Sequence, residues 1–414
     1  MTQNQTTNAG RITIIDALRG FALFGVIWVH FQQHFSYFSM GPFNEHTPIL
    51  SQFNETVQWL TNNVMMGRFI NIFAFLFGMS FFIQMDRAAK KGIDFRGRFL
   101  WRMVVLFVIG LISTAFYSGD ILSLYAIYGV ILLLLNPCKN WILTILAALL
   151  LLGTPKLTTY TYDKITVPAP TEQVDGAPQM PRMPERRERP NSEPEKITFL
   201  KSAKNNLTSG TQGKIRYQYN MSNRGYITLA IFFFGLIVGR LRFFETCHLH
   251  KRRNFALFAI FIAGMLIADW IAKAIAPEPV PGMWFAPPSV QSIMTTAMND
   301  LKMVFSSAAI LMAFVILYNI TAIGKVLDVL APYGRMGLTN YVSQSIIGSC
   351  LFAMWGLGTI FGPWGATELM LLGIGLYVVQ IIICTIWLRY FKFGPLEWLW
   401  RSATYMKWQP FLNK

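Results

Sequence analysis

Arg19 and His30 stand eleven residues apart in IIDALRGFALFGVIWVHFQQHF. On a helix turning about 100° per residue, eleven steps end ~20° from three full turns, so both side chains share one face about 16 Å apart along the axis. Asp16 lies one turn before Arg19 and can pair with it, and His34 extends the face one turn beyond His30. An imidazole whose ordinary pKa lies near neutrality can act as a general base. A guanidinium at the other end of the same face can hold a phosphate. The plain alternatives are an arginine that snorkels to an interface and a histidine that is only a satisfied polar residue. HFQQH has the spacing of a zinc-binding HExxH helix but lacks its glutamate, so no metal site is expected.

Three further groups qualify. In SGDILSLYAIYG, Asp120 precedes an apolar run, where a carboxylate either caps a helix or orients His30 or an acceptor hydroxyl. In GRMGLTNYVSQS, Arg335 and Thr339 lie one turn apart, as do Asn340 and Gln344. Polar residues this dense in an apolar stretch either line a cavity or join helices. Arg68 opens another apolar stretch and either snorkels or binds an anionic group.

The elements that carry these residues are transmembrane helices. Of the 414 residues 53% are hydrophobic and 14% charged, with mean hydropathy +0.40, which excludes a soluble enzyme and a disordered chain. Apolar windows of about 17–25 residues fall at 14–36, 63–85, 99–117, 120–136, 140–153, 225–244, 255–275, 295–319, 336–355 and 368–389. The expected fold is therefore an all-α polytopic membrane protein of about ten transmembrane helices. Lys and Arg outnumber Asp and Glu by 36 to 20. They collect in alternate loops, such as DRAAKKGIDFRGR and RLRFFETCHLHKRRN, whereas 37–62, 276–294 and 356–367 have none. The positive-inside rule then places both termini in the cytoplasm, and the basic charge faces anionic lipid rather than nucleic acid.

The four cysteines are scattered and lie in no extracytoplasmic loop, so neither disulfides nor a zinc site is expected. The uncharged N-terminal stretch MTQNQTTNAG lacks a signal peptide's basic start, so the first apolar segment reads as a retained helix. The organisation expected is a five-span bundle over 1–153, an extracytoplasmic loop over 154–222, a second five-span bundle over 223–389 and an interfacial cytoplasmic tail over 390–414. The middle of the loop is rich in proline and charge. Its flanks, Ile197–Leu207 and Ile215–Tyr219, suit short interfacial helices. In the tail, Glu397 and Arg401 are at i,i+4, and Trp398, Trp400, Lys392 and Arg401 suit an inner-surface anchor.

IDALRGFALFGV, FLFG at Phe75–Gly78, GDIL at Gly119–Leu122, GRMGLTNYVSQS and IWLRYFKFGPLEWLWR resemble the YeiB-like family of bacterial inner-membrane proteins (domain of unknown function, family 418). The resemblance runs from about residue 11 to 405 and implies a fold shared with transmembrane acyltransferases. These include the acyltransferase 3 family and the lysosomal heparan glucosaminide acetyltransferases. In the acyltransferase 3 family an Arg and a His at the spacing of Arg19 and His30 are needed for activity. The YeiB-like family usually has Asn where this chain has His30, a departure towards the acyltransferase pattern.

The first functional reading is thus a bacterial inner-membrane enzyme that moves an acyl group from acyl-CoA, acetyl-CoA first among them, to a cell-envelope acceptor. That acceptor is a glycan or a small molecule with a hydroxyl or amine. His30 and Asp120 are the catalytic candidates, and Arg19, Arg335, Asn340 and Gln344 are the donor-binding ones. A transporter for a small amphiphilic or anionic solute is the alternative, and a non-catalytic assembly protein the third. No internal repeat supports an inverted-repeat transporter. The oligomeric state is not written in the sequence.

Overall fold

A computed structural model describes residues 6–7, 11–35, 50–166, 197–278 and 288–413. Apart from a two-residue pairing of Thr6–Thr7 with Arg11–Ile12, every regular element among them is a helix. The Pro- and charge-rich stretch 167–196 lies outside the described residues.

Helix α1 (Thr13–Gln32) has no exposed residue and is buried on most sides. Helix α2 (Asn54–Leu60) runs through a wide turn at Thr61–Met65 and a left-handed Gly67 into α3 (Arg68–Ala89). Helices α4 (Arg96–Phe116) and α5 (Leu122–Leu135) form an antiparallel hairpin. Helices α6 (Asn140–Leu151) and α7 (Thr154–Thr166) meet at a 56° bend, where Gly153 takes a positive φ. Helices α8 (Phe199–Asn205) and α9 (Thr211–Arg216) merge through π turns into one rod, Phe199–Met221, which bends 77° into α10 (Arg224–Arg240). The interfacial flanks expected at 197–207 and 215–219 are thus parts of a single helical rod.

The short α11 (Phe243–Thr246) leads to the hairpin of α12 (Lys251–Ala274) and α13 (Val290–Tyr318). Then come α14 (Thr321–Leu327), α15 (Ala331–Arg335), α16 (Gly337–Phe352), α17 (Gly358–Phe361), α18 (Ala366–Tyr390) and α19 (Pro395–Tyr405).

All ten apolar windows fall on helices. Among the described residues, six helical segments are long and apolar enough to cross a membrane alone: α1, Ser51–Ala89, α4, α12, α13 and α18. Counting each bent pair as one span raises that to eight. Helix α5, of 14 residues, is a short apolar element, and α16, of 16 residues, is a short one dense in polar side chains. At 1.5 Å per residue they reach about 21 and 24 Å, less than a hydrocarbon core of ~30 Å.

Lipid tails are as apolar as leucine, so the helices are held by close packing and internal polar contacts rather than by exclusion of water. Where α1 crosses α15, a Cβ on Gly334 would overlap the carbonyl oxygen of Asp16. Helix α1 packs against α3, α15 and α18, and α10 packs against α3 and α6. Helices from both halves of the chain therefore interleave around α1, whose apolar window is 72% buried. Helix α12, at 11%, touches little but α13.

Candidate functional site

A cavity of about 830 Å³ opens between α1, α3, α4, α16 and α19. Seven cationic side chains line it: Arg19, Arg87, Lys91, Arg98, Arg102, Arg335 and Arg401. They come from the N-terminal part of α1, the end of α3 and the loop after it, the start of α4, the end of α15, and α19. The two carboxylates in the wall are both engaged. Asp16 Oδ1 accepts from Arg19 Nη1 at 2.9 Å, the one-turn pairing expected from the sequence. Arg19 Nη2 also donates to Ser80 Oγ at 2.6 Å, so its guanidinium is held from two sides. Seven cations against two carboxylates leave the wall with a formal excess of five positive charges among the described residues.

Glu397 is the second carboxylate. Its Oε1 accepts from the backbone N–H of Leu338 at 2.7 Å and of Thr339 at 3.0 Å, and its Oε2 accepts from the Thr339 hydroxyl at 2.6 Å. It thus caps the first turn of α16, where backbone amides have no partner within the helix. Burial pushes its carboxyl above the ordinary range. Gly394 leaves the room this needs, since a Cβ there would strike Glu397 Oε2. Arg401, at i,i+4 from Glu397, instead lies over the rings of Phe393 and Tyr405, at 5.0 and 5.6 Å. Arg102 lies 3.5 Å over Trp400, whose indole N–H donates to the Arg102 carbonyl at 2.9 Å. The GPLEWLWR motif therefore builds one wall of the cavity.

The cavity runs inward to Phe73, Leu122, Tyr125 and Tyr341. His30 stands behind that end and does not line it. Its ring lies edge-on to Phe35, Tyr117 and Tyr341, with centroids 5.2, 5.1 and 6.2 Å apart, and its Nδ1 is buried with no hydrogen-bond partner among the described residues. Tyr341 belongs to both surroundings and separates the imidazole from the cavity.

Asp120 is fully buried on the turn between α4 and α5. Its N–H donates to the Tyr117 carbonyl at 3.1 Å, and its Oδ1 accepts from Leu122 N–H at 2.9 Å. The expectation that Asp120 orients His30 is not met. No hydrogen bond joins the two among the described residues, because the carboxylate is turned to the first amides of α5. The sequence reading also missed Lys214. Carried in by α9, it is buried and donates to the Asp120 carbonyl at 3.0 Å. Only its place in an apparently solvated loop was visible beforehand.

Of the donor-binding candidates, Arg19 and Arg335 line the cavity, whereas Asn340 and Gln344 do not. Asn340 Nδ2 donates to the Tyr333 carbonyl at 2.9 Å and to Cys384 Sγ at 3.2 Å. Gln344 Nε2 donates to the Tyr333 hydroxyl and to Gln380 Oε1. Both amides join α15, α16 and α18, the helix-joining alternative. His30, Asp120 and Gln344 therefore do not meet in this cavity.

Comparison with known proteins agrees with the resemblance read from the motifs. Residues 238–407 match the family described as "Protein of unknown function (DUF418)". Residues 11–170 match "Heparan-alpha-glucosaminide N-acetyltransferase, catalytic". The uncharacterized protein YxaH of Bacillus subtilis (strain 168) is 28% identical over 427 residues, covering 98% of this chain and 96% of that one. An uncharacterized 39.9 kDa protein from the amylase 3' region of Bacillus acidopullulyticus is 26% identical, with the same coverage. The uncharacterized protein YeiB of Escherichia coli (strain K12) is 40% identical over 90 residues, 22% of this chain and 23% of that one. The likeness is thus to two uncharacterized Bacillus proteins along the chain, to the DUF418 family over 238–407 and to a membrane acetyltransferase over 11–170.

Proposed function

We propose that this protein is a membrane acyltransferase that takes an acyl group from acyl-CoA, acetyl-CoA first among them, and passes it to a hydroxyl or amine of a cell-envelope glycan or small molecule. The observation that carries the reading is the cavity, a cationic mouth continued by an apolar, aromatic interior that ends one tyrosine from His30. A coenzyme with several phosphates and a long uncharged arm has the same division of charge. The acetyltransferase likeness of residues 11–170, which hold both Arg19 and His30, supports it. In this reading the protein sits in the bacterial cytoplasmic membrane with both termini and the cationic mouth inside.

Arg19 and Arg335 bind the phosphates, Arg19 with its fork already set by Asp16 and Ser80. When bound, the thioester supplies an activated acyl carbonyl. His30, with Nδ1 unengaged, takes the proton of the acceptor as the acceptor's oxygen or nitrogen bonds to that carbonyl. The carbon–sulfur bond breaks, and the thiol leaves with a proton returned from the imidazole. Tyr341 moves aside to admit the reacting groups. Asp120 acts as a positioning residue that fixes the α4–α5 turn, and through Tyr117 the wall beside His30. Asn340 and Gln344 hold α16 in place.

Purified protein in proteoliposomes, given acetyl-CoA labelled in the acyl group and a cell-envelope fraction, is expected to label the fraction. His30→Asn keeps a polar group of similar size and is expected to lower the rate by about 10²–10⁴. Thermal shifts with acetyl-CoA and free CoA should persist in that variant and fall in Arg19→Ala and Arg335→Ala. Full transfer by His30→Asn removes His30 as the base. Absence of both transfer and CoA binding in the wild type removes the acyltransferase reading.

A further inference from the structure

A second group of basic side chains lies at the opposite end of the bundle, where α3 begins. Arg68 Nη1 donates to the carbonyls of Asn62 and Met66, each at 2.9 Å, and its Nε and Nη2 make no hydrogen bond among the described residues. Arg224, at the start of α10, reaches the next carbonyl along, with Nη2 3.5 Å from the Gly67 oxygen and Nη1 3.3 Å from Met303 Sδ. Both contacts are weak for a group with five donors. Gly67 has φ +78°, and a Cβ there would strike Met303 Sδ, so the turn that gathers the two guanidiniums is built for close approach.

The charge here is not balanced. Lys156 and Asp300 are the other basic and acidic groups close by among the described residues, and Asp300 Oδ2 is taken by Asn223 Nδ2 at 2.6 Å. No carboxylate lies at ion-pair distance from Arg68 or Arg224 among the described residues. Three cations against one carboxylate leave two positive charges, on half-exposed side chains.

We propose that Arg68 and Arg224 form an anion site for a phosphate-bearing group, held by two guanidinium forks and matched in charge by a doubly ionised phosphate. Planar forks suit the several oxygens of such a group better than an ammonium does. Neither Arg68 nor Arg224 lines the cationic cavity. Tyr125, at the cavity's inner end, donates to the carbonyl of Ile70, two residues beyond Arg68, at 3.4 Å. The inference does not depend on the acyltransferase reading, because it concerns binding alone. A free phosphate ester and a phospholipid headgroup share the required chemistry.

The test uses the full chain with Arg19→Gln and Arg335→Gln as background, so that the cavity does not mask the second site. In detergent, glycerol 3-phosphate binding is measured by calorimetry. In nanodiscs, retained phosphatidylglycerol is counted by native mass spectrometry. Adding Arg68→Gln and Arg224→Gln is expected to weaken binding at least tenfold in one arm. Loss in the calorimetric arm identifies a soluble phosphate ester, and loss in the lipid arm alone identifies a headgroup. Equal binding with and without the two substitutions in both arms overturns the site, as does equal binding of acetate and phosphate. Should the glutamine pair fail to fold, Arg68→Lys with Arg224→Lys carries the test. It keeps the charge but lacks the forks, so binding is expected to fall severalfold, and unchanged binding overturns the site.

Discussion

Replacing Glu397 tests whether the C-terminal helix is locked to the bundle through the start of α16. Its carboxylate takes two backbone amides and one hydroxyl at 2.6–3.0 Å. A hydrogen bond to a charged group contributes about 1.5–3 kcal/mol, and the loss of a helix cap costs about 0.5–2 kcal/mol. The three bonds share one acceptor and do not simply add. Burial raises the Glu397 carboxyl above its ordinary range, so desolvation offsets much of what the charge gives. The oxygens therefore matter more than the charge.

Glu397→Gln, which keeps an acceptor for the amides and a donor for the Thr339 hydroxyl, should cost about 1 kcal/mol. Glu397→Ala strands three donors and should cost about 3–5 kcal/mol. The sign of the pH effect follows from the raised value. The folded state holds this proton more tightly than the unfolded one, so stability falls as pH rises from 4.5 through the folded value and is level above it. Unfolding in mixed micelles with increasing dodecyl sulfate, at several pH values, measures both effects. Equal losses for Gln and Ala, or a Gln variant that keeps the pH slope, would refute the reasoning.

Gly334→Ala should cost at least about 3 kcal/mol, because its Cβ meets the backbone of α1, which has no side chain to swing away; the same micelle titration measures it. For orientation, a thiol reagent added outside intact cells should label a cysteine introduced near residue 185 and miss one introduced at Lys91. The reverse pattern would invert the assignment of the cationic mouth to the cytoplasm.

Local patterns were legible and distant pairings were not. Hydropathy placed apolar windows on helices, and one-turn spacing gave the Asp16–Arg19 pair, because both depend on neighbours along the chain. The same reasoning misled at Glu397, where i,i+4 spacing pointed to Arg401 but the carboxylate reaches residues 58 and 59 positions away. Arg98 and Arg401 read as loop and interfacial charge, since nothing local says that α4 and α19 share a cavity wall. Asn340 and Gln344 had the density of cavity-lining residues. Only the positions of Tyr333, Gln380 and Cys384 show where those amides are spent.

The burial of α1 also sets a timetable for synthesis. Gln32 donates to the Ala366 carbonyl at 2.7 Å, and Gly20 accepts from the Tyr377 hydroxyl at 2.8 Å, so the first helix made is completed by nearly the last. The 334 residues between Gln32 and Ala366 take roughly 15–70 s to translate at ~5–20 residues per second. Throughout that interval Arg19 and His30 lie on a helix whose C-terminal partners are still inside the ribosome or not yet begun. A message truncated before codon 366 yields a product in which α1 still meets α3 and α15 but lacks α18, so one side of it stays uncovered.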